Sequence, residues 1–202
     1  MKLTVKPGKH DKLHIYLDDE YRTTVDALYF GSCGVKDGME LDEAQAEAFL
    51  RQANDRRAFN KAASLLSLQD RTRRQLLERL TEDFGEASAE AAVDRLEELR
   101  LVDDARYARN FADELKRRKN AAPRRIRQEL IGRGIDPDTA DETLAEMEFD
   151  PRESIDALLR TRFRGKYADE KGLRRTIASL QRLGYGYGDI RAALRDAAEE
   201  EE

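Results

Sequence analysis

Apolar residues recur with helical spacing along most of this chain, and the pattern repeats about every fifty residues. Three leucines each close a helix-like run at this spacing: Leu80, Leu130 and Leu180. A glycine follows each of them within five residues, and a second short run then closes on another leucine: Leu96, Leu144 and Leu194. Such a period indicates an array of repeats, in which each unit buries its apolar face against its neighbours.

Capping signals divide each repeat into three helices. Thr72 and Gln75 form a capping box, and N-cap or first-turn signals stand at four further positions: Asp103, Pro123, Asp136-Pro137 and Asp150-Pro151. Another helix is expected to start near residue 170 and a last one after Gly184. The predicted repeats span residues 58–104, 105–149 and 150–198, and an acidic tail covers 199–202.

The first 57 residues follow a different pattern. Leu13–Leu17 alternates apolar and polar residues, Asp18-Asp19-Glu20 is a turn, and Tyr21–Val25 is β-branched, which predicts a hairpin. Residues 3–5 are a possible third strand. A helix with Asp42 as its N-cap then runs towards Phe59. The predicted fold is mainly α: three tandem three-helix repeats in an elongated curved array, preceded by a small three-stranded β segment and a helix.

Composition places this chain among soluble proteins. One cysteine among 202 residues excludes an internal disulfide and fits a reducing compartment. We expect a cytoplasmic protein with no membrane span, and a monomer, because no exposed heptad seam is evident. The net charge of −5 hides strong segregation: residues 106–133 hold ten Lys or Arg against three acids, whereas residues 82–104 hold nine acids against two Arg. A polyanion would respond to these local fields.

The sequence offers no catalytic constellation. His10, His14 and Cys33 lack the compact spacing and the fourth ligand of a zinc site. No phosphate-binding loop and no G-x-S-x-G nucleophile motif occurs. We therefore expect no enzyme activity, no metal and no cofactor.

Basic clusters at helix ends are the strongest functional signal. The helix ending at Lys119 and the helix starting near Pro123 bring two such clusters together across a short turn. The candidate partner-binding residues are Arg73, Arg74, Lys116, Arg117, Arg118, Lys119, Arg124, Arg125, Arg127, Arg174 and Arg175.

An arginine at a helix start opposes the helix dipole, so helix stability does not explain Arg74, Arg124 and Arg174. These cations could face nucleic-acid phosphates or an acidic protein surface. The alternative is that they pair with acids of the next repeat: Glu97, Glu98, Asp103, Asp141 and Glu146.

Two segments of the second repeat resemble the RecX family of recombinase regulators. One is Leu101-Val102-Asp103-Asp104-Ala105-Arg106-Tyr107-Ala108, similar to the family's hydrophobic-Asp-Asp-x-Arg-[Phe/Tyr]-Ala segment. The other is Ala122-Pro123-Arg124-Arg125-Ile126, where the family typically has Gly in place of Ala122. The resemblance covers about residues 58–195, and the combination of the two segments is specific.

The resemblance implies a non-enzymatic regulator of the RecA recombinase, most often an inhibitor. Such proteins lie in the groove of the RecA–single-stranded DNA filament and change ATP hydrolysis, strand exchange, recombination and DNA repair in the SOS response. Two other readings stay open from the residues alone. One is a stand-alone nucleic-acid-binding helical repeat protein, and the other is a structural scaffold whose charges pair internally.

Overall fold

The computed structural model describes residues 1–200 of the chain. Over this range the protein is mainly helical, with one three-stranded antiparallel sheet at the N-terminus, which confirms the predicted fold class. The chain forms two compact units, residues 1–102 and the part from residue 103 onwards. None of the helices described is long and apolar enough to cross a membrane.

The N-terminal sheet consists of β1 (Leu3–Pro7), β2 (Lys12–Leu17) and β3 (Glu20–Asp26), in the order β1-β2-β3. Asp18 and Asp19, with φ of 50° and 65°, form the two-residue turn between β2 and β3. The inner face of the sheet packs against the long helix that starts at residue 43. The buried residues of this cluster are Leu3, Ile15, Leu17, Val25, Leu41, Ala46, Phe49 and Ala53.

Helix α1 (Ala27–Ser32) is a short element that the sequence pattern did not predict, and it starts after the N-cap Asp26. Helix α2 (Glu43–Leu66) begins at Asp42 with a full capping box, as predicted. The pattern also predicts a separate helix around residues 59–68. That prediction is wrong, because α2 runs unbroken through residue 58. Residues 43–66 contain neither Gly nor Pro, so nothing interrupts the helical hydrogen bonds.

The first repeat uses the C-terminal half of α2 together with α3 (Arg73–Phe84) and α4 (Glu86–Glu98). The predicted capping box at Thr72 is present, with the Gln75 amide donating to its hydroxyl. Helix α4 starts at Glu86, directly after Gly85. Its core contains Ala58, Ala62, Leu76, Leu80, Ala89, Ala92, Val93, Leu96 and Val102.

The second repeat consists of α5 (Asp104–Lys119), α6 (Pro123–Gly132) and α7 (Pro137–Ala145). Asp103 and Asp136 are the predicted N-caps, and each accepts a backbone N–H of the first turn. Its core contains Ala108, Ala112, Leu115, Ala121, Ile126, Leu130, Ile135 and Ala140.

The third repeat consists of α8 (Pro151–Arg160), α9 (Glu170–Arg182) and α10 (Tyr187–Glu200). Its core contains Ile155, Leu158, Leu159, Phe163, Leu180, Tyr185, Ile190, Ala193 and Leu194. Leu180, like Leu80 and Leu130, is fully buried, as the fifty-residue register predicts. Of the predicted acidic tail, residues 199 and 200 continue α10, and residues 201–202 lie outside the described residues.

The second and third repeats meet at their turns. The Ala122 N–H donates to the Leu183 carbonyl at 2.8 Å, and the Tyr185 hydroxyl donates to the Asn120 carbonyl at 2.9 Å. Gly184 has a φ of +95°, and a Cβ placed on it would lie 2.8 Å from the Arg125 nitrogen. The turn after α9 therefore fits against the start of α6 only with glycine at this position.

Candidate partner-binding surface

The predicted cations fall in both compact units. Arg73 and Arg74 open α3 in the first unit, whereas the other nine candidates belong to the second. In the second unit they lie on the last turn of α5, on the first turns of α6 and on the first turns of α9.

The α5–α6 turn joins two basic helix ends. Asn120 ends α5 in the left-handed conformation, with a φ of 49°, and Pro123 is the first residue of α6. The chain therefore reverses over three residues. The last of the four consecutive cations that end α5, Lys119, lines the same cleft as Arg124 and Arg125. The four cations of α5 complement its C-terminal dipole, but Arg124 and Arg125 gain nothing from the dipole of α6.

A cleft of about 560 Å³ lies between this turn and the C-terminal end of α9, and it is called the basic cleft below. Leu115, Ala121 and Leu183 contribute its apolar lining. Its charged lining contains four cations and one acid: Lys119, Arg124, Arg125, Arg182 and Glu129. The excess of positive charge makes this cleft suitable for an anionic partner.

Two of the candidate arginines form ion pairs that connect neighbouring helices. Arg73 contacts Asp94 at 2.8 Å and Glu97 at 2.9 Å, which links α3 to α4. Arg127 binds Asp141 through two hydrogen bonds, which links α6 to α7. The hydrogen bond between them raises the pKa of Arg127 and lowers the pKa of Asp141. Both arginines therefore have an intramolecular role, and their acids belong to the same repeat rather than to the next one.

Other candidates have only weak exposed partners. Four arginines pair with a glutamate one turn away on the same helix: Arg74, Arg118, Arg125 and Arg174. The Lys116 ammonium donates to the Glu148 carbonyl. Exposed pairs of this kind contribute a few tenths of a kcal/mol, about 0.3–0.5, and a stronger anion can replace them.

Four candidate cations form neither an ion pair nor a side-chain hydrogen bond among the described residues: Arg117, Lys119, Arg124 and Arg175. Lys119 and Arg124 both line the basic cleft. Internal pairing, the alternative left open by the sequence, therefore describes Arg73 and Arg127, and within the cleft Arg125 with Glu129, but not Lys119 and Arg124.

The cleft also uses residues that the sequence pattern did not single out as a site. Arg182 contributes a cation from the last turn of α9, and its guanidinium donates to the Ser179 hydroxyl at 2.9 Å. Gly184 permits the close approach that forms the wall. The recurring glycine after each leucine was the only sequence signal for this junction.

The residues considered for a metal site serve other purposes. Nδ1 of His14 lies 2.8 Å from the Thr24 hydroxyl, and the Cys33 thiol donates to the Phe30 carbonyl. Within residues 1–200, His, Cys, Asp and Glu form no group of three or more that could hold a metal ion.

In comparison with known proteins, family models match the first and second repeats. The first three-helix domain of RecX matches residues 58–96, and the second three-helix domain matches residues 103–144.

Regulatory protein RecX of Thermus thermophilus is 36% identical over 145 residues, which cover 72% of this chain and 95% of that protein. Regulatory protein RecX of Clostridioides difficile is 27% identical over 196 residues, covering 96% and 92%.

A crystal structure of regulatory protein RecX superposes with a TM-score of 0.70 at 24% identity, covering 96% of this chain and 98% of that chain. RecX from Lactobacillus salivarius superposes with a TM-score of 0.61 at 22% identity, covering 71% and 96%. These two likenesses concern the fold. Taken with the sequence matches across most of the chain, they lead to one conclusion: this protein belongs to the RecX family of regulatory proteins.

Proposed function

We propose that this protein is a non-enzymatic inhibitor of the RecA recombinase, which binds in the groove of the RecA–single-stranded DNA filament as a cytoplasmic monomer. The basic cleft is the principal contact in this proposal. Its targets are acidic RecA side chains and DNA phosphates exposed in the groove. Residues 116–119 and Arg174 and Arg175 extend the contact along the second compact unit.

One observation carries the proposal: Lys119 and Arg124 line a concave surface, and neither has a carboxylate partner in the part of the chain that the structure describes. Unpaired cations that share a concave wall repel one another, so they lower the stability of the free protein slightly. An anionic partner removes that repulsion and gains charge-assisted hydrogen bonds. The apolar lining adds a surface that a protein partner can cover.

A protein held in the groove would block addition of the next RecA protomer or loosen the contact between neighbouring protomers. Either effect lowers the amount of active filament. We therefore expect ATP hydrolysis and strand exchange by RecA to fall together, at ratios of one regulator to many RecA protomers.

The test is the single-stranded-DNA-dependent ATPase rate of RecA with this protein titrated at sub-stoichiometric ratios. The wild type should lower the rate in a dose-dependent way, and the double variant Arg124→Glu/Arg125→Glu should lose this effect. Arg195→Glu is the matched control, because Arg195 is an exposed cation of α10 whose acidic neighbours, Asp196 and Glu199, lie on the same helix.

Binding to bare single-stranded DNA, measured against salt, separates this function from a stand-alone nucleic-acid module. Binding to phosphates alone weakens steeply with salt, whereas binding to the filament should persist. An unchanged ATPase rate combined with tight binding to bare DNA would contradict filament regulation and support the nucleic-acid module.

A further inference from the structure

A second cavity, of about 490 Å³, lies entirely within the third repeat. The loop of residues 161–169 connects α8 to α9 and folds back over the first two turns of α9. Phe163 lines the cavity, and the polar wall includes Lys166, Lys171, Arg175 and Thr176. This cavity is called the α9 pocket below, and it is separate from the basic cleft.

Thr176 breaks the repeat pattern. At the equivalent positions, fifty and one hundred residues earlier, the chain has Ile126 and Leu76, and both are fully buried core residues. Thr176 is only 2% exposed, so a hydroxyl has replaced an apolar side chain in a buried position.

The Thr176 hydroxyl differs in its hydrogen bonding from the other serine and threonine hydroxyls of buried residues. The other buried hydroxyl residues in the described part of the chain each take part in a side-chain hydrogen bond: Thr23, Thr72, Ser88 and Thr143. Thr176 forms none within residues 1–200. The Thr176 oxygen is not among the fully buried atoms without a partner, so it remains accessible from the pocket that Thr176 lines. A hydroxyl in this position can donate a hydrogen bond to a group bound in the pocket.

The charge of the pocket identifies the kind of partner. Lys171 and Arg175 have no carboxylate partner among the described residues, and the Lys166 ammonium donates to the Arg162 carbonyl. The wall contains one acid, Asp169, whose carboxylate accepts the Gly172 N–H as the N-cap of α9. Three cations and a hydroxyl therefore converge at the positive end of a 13-residue helix.

Gly172 holds the loop in place. A Cβ at this residue would overlap the Lys166 carbonyl oxygen, so the loop backbone lies directly against the helix only because residue 172 is glycine. The first repeat has Thr72 at the equivalent position and the second has Ala122, both before the first residue of their helix. In the fifty-residue register, α9 starts three residues earlier than α3 and α6 do, so its first turn lies under the loop of residues 161–169.

We propose that the α9 pocket binds a phosphate group of a single-stranded nucleic acid, with the Thr176 hydroxyl and the Lys171 and Arg175 side chains as donors. A tetrahedral phosphate offers several acceptor oxygens to donors arranged around it, and the pocket has room for the attached sugar. The proposal rests on the proposed function, which brings the protein to a DNA-containing filament, and it assigns one DNA contact to a defined residue set.

The experiment uses the full-length protein and the isosteric variant Thr176→Val. Because the hydroxyl has no internal partner, its removal should leave resistance to urea unchanged or slightly higher. Affinity for oligothymidylate should fall about tenfold, the effect of losing one hydrogen bond to a charged group. Thr143→Val is the matched control: it removes a hydroxyl that donates to the Thr139 carbonyl at 2.8 Å, so it should affect stability and not DNA affinity.

Amide chemical shifts of Gly172 and Thr176 identify the ligand. Inorganic phosphate and oligothymidylate should each move both signals, and Thr176→Val should abolish the response to phosphate. The proposal would be overturned if neither probe moved the amide signals of Gly172 and Thr176. It would also be overturned if Thr176→Val bound DNA with wild-type affinity. A response to inorganic phosphate alone would overturn its nucleic-acid part.

These outcomes are independent of the RecA ATPase test. If the ATPase effect depends on Arg124 and Arg125 while phosphate fails to move the α9 pocket signals, filament regulation stands and the pocket assignment fails. If phosphate and oligothymidylate bind through Thr176 but RecA is unaffected, the pocket assignment stands and filament regulation fails.

Discussion

Gly184→Ala tests the close packing between the second and third repeats. The φ of +95° at this position lies in the region that costs a non-glycine residue about 1–2 kcal/mol. The new Cβ would also lie 2.8 Å from the Arg125 nitrogen and 2.9 Å from its Cβ. Backbone atoms cannot move away as a flexible side chain can, so overpacking adds about 1–3 kcal/mol.

The two contributions predict a loss of about 2–5 kcal/mol in the free energy of unfolding, a large fraction of the 5–15 kcal/mol typical of a folded domain. Urea unfolding measures the global effect. Hydrogen exchange at the Ala122 amide measures the local effect, because this N–H donates to the Leu183 carbonyl beside Gly184. Protection of this amide should fall in the variant.

Gly165→Ala is the control for the backbone contribution. Gly165 lies in the same compact unit and has a φ of +66°, but a Cβ there would meet no atom within 4 Å. We expect it to cost only about 1–2 kcal/mol. Equal losses for the two variants, or an Ala122 amide whose protection does not change, would refute the packing argument.

Two further variants test a buried hydroxyl and an ion pair. Tyr185→Phe removes the bond to the Asn120 carbonyl and should cost about 1 kcal/mol in urea unfolding. Burial raises the Tyr185 pKa above 10.0, so this loss should be constant across neutral pH. Burial alone would raise the pKa of Asp26, but the Arg56 and Tyr29 hydrogen bonds and the charges of Arg56 and Lys12 lower it below 3.8. Asp26→Asn keeps the helix cap but removes the negative charge that pairs with Arg56. It should lower the free energy of unfolding by about 0.5–1 kcal/mol at pH 7. The difference between the variant and the wild type should disappear as the pH falls below 3.8 and the Asp26 carboxylate becomes protonated. A difference that persists at pH 2 would contradict the assignment.

Local signals in the sequence predicted the helix starts well. Thr72, Asp103 and Asp136 cap their helices as expected, because a capping side chain bonds to backbone groups only two or three residues away. The end of α2 and the existence of α1 were harder to predict. The six residues of α1 include no fully buried residue, and the short apolar run of residues 27–30 does not distinguish a helix from a strand by periodicity.

The candidate site could be predicted in part. Clusters of Arg and Lys are visible in the sequence, but their pairing is not. Arg127 binds Asp141, fourteen residues away, whereas Arg124, at the start of the same helix, has no acidic partner among the residues that the structure describes. The difference depends on the packing of α7 against one side of α6, which a pattern of single residues does not encode.

The sequence by itself determined the repeat, the helix starts and the segregation of charge, because these depend on periodicity and on short-range hydrogen bonds. Only the tertiary structure decided which cations remain available to a partner and where cavities form. The basic cleft requires the turn after α9 to touch α6 through Gly184, and the α9 pocket requires the loop of residues 161–169 to close over Gly172. Both contacts join residues whose proximity is fixed by the packing of buried side chains from several helices.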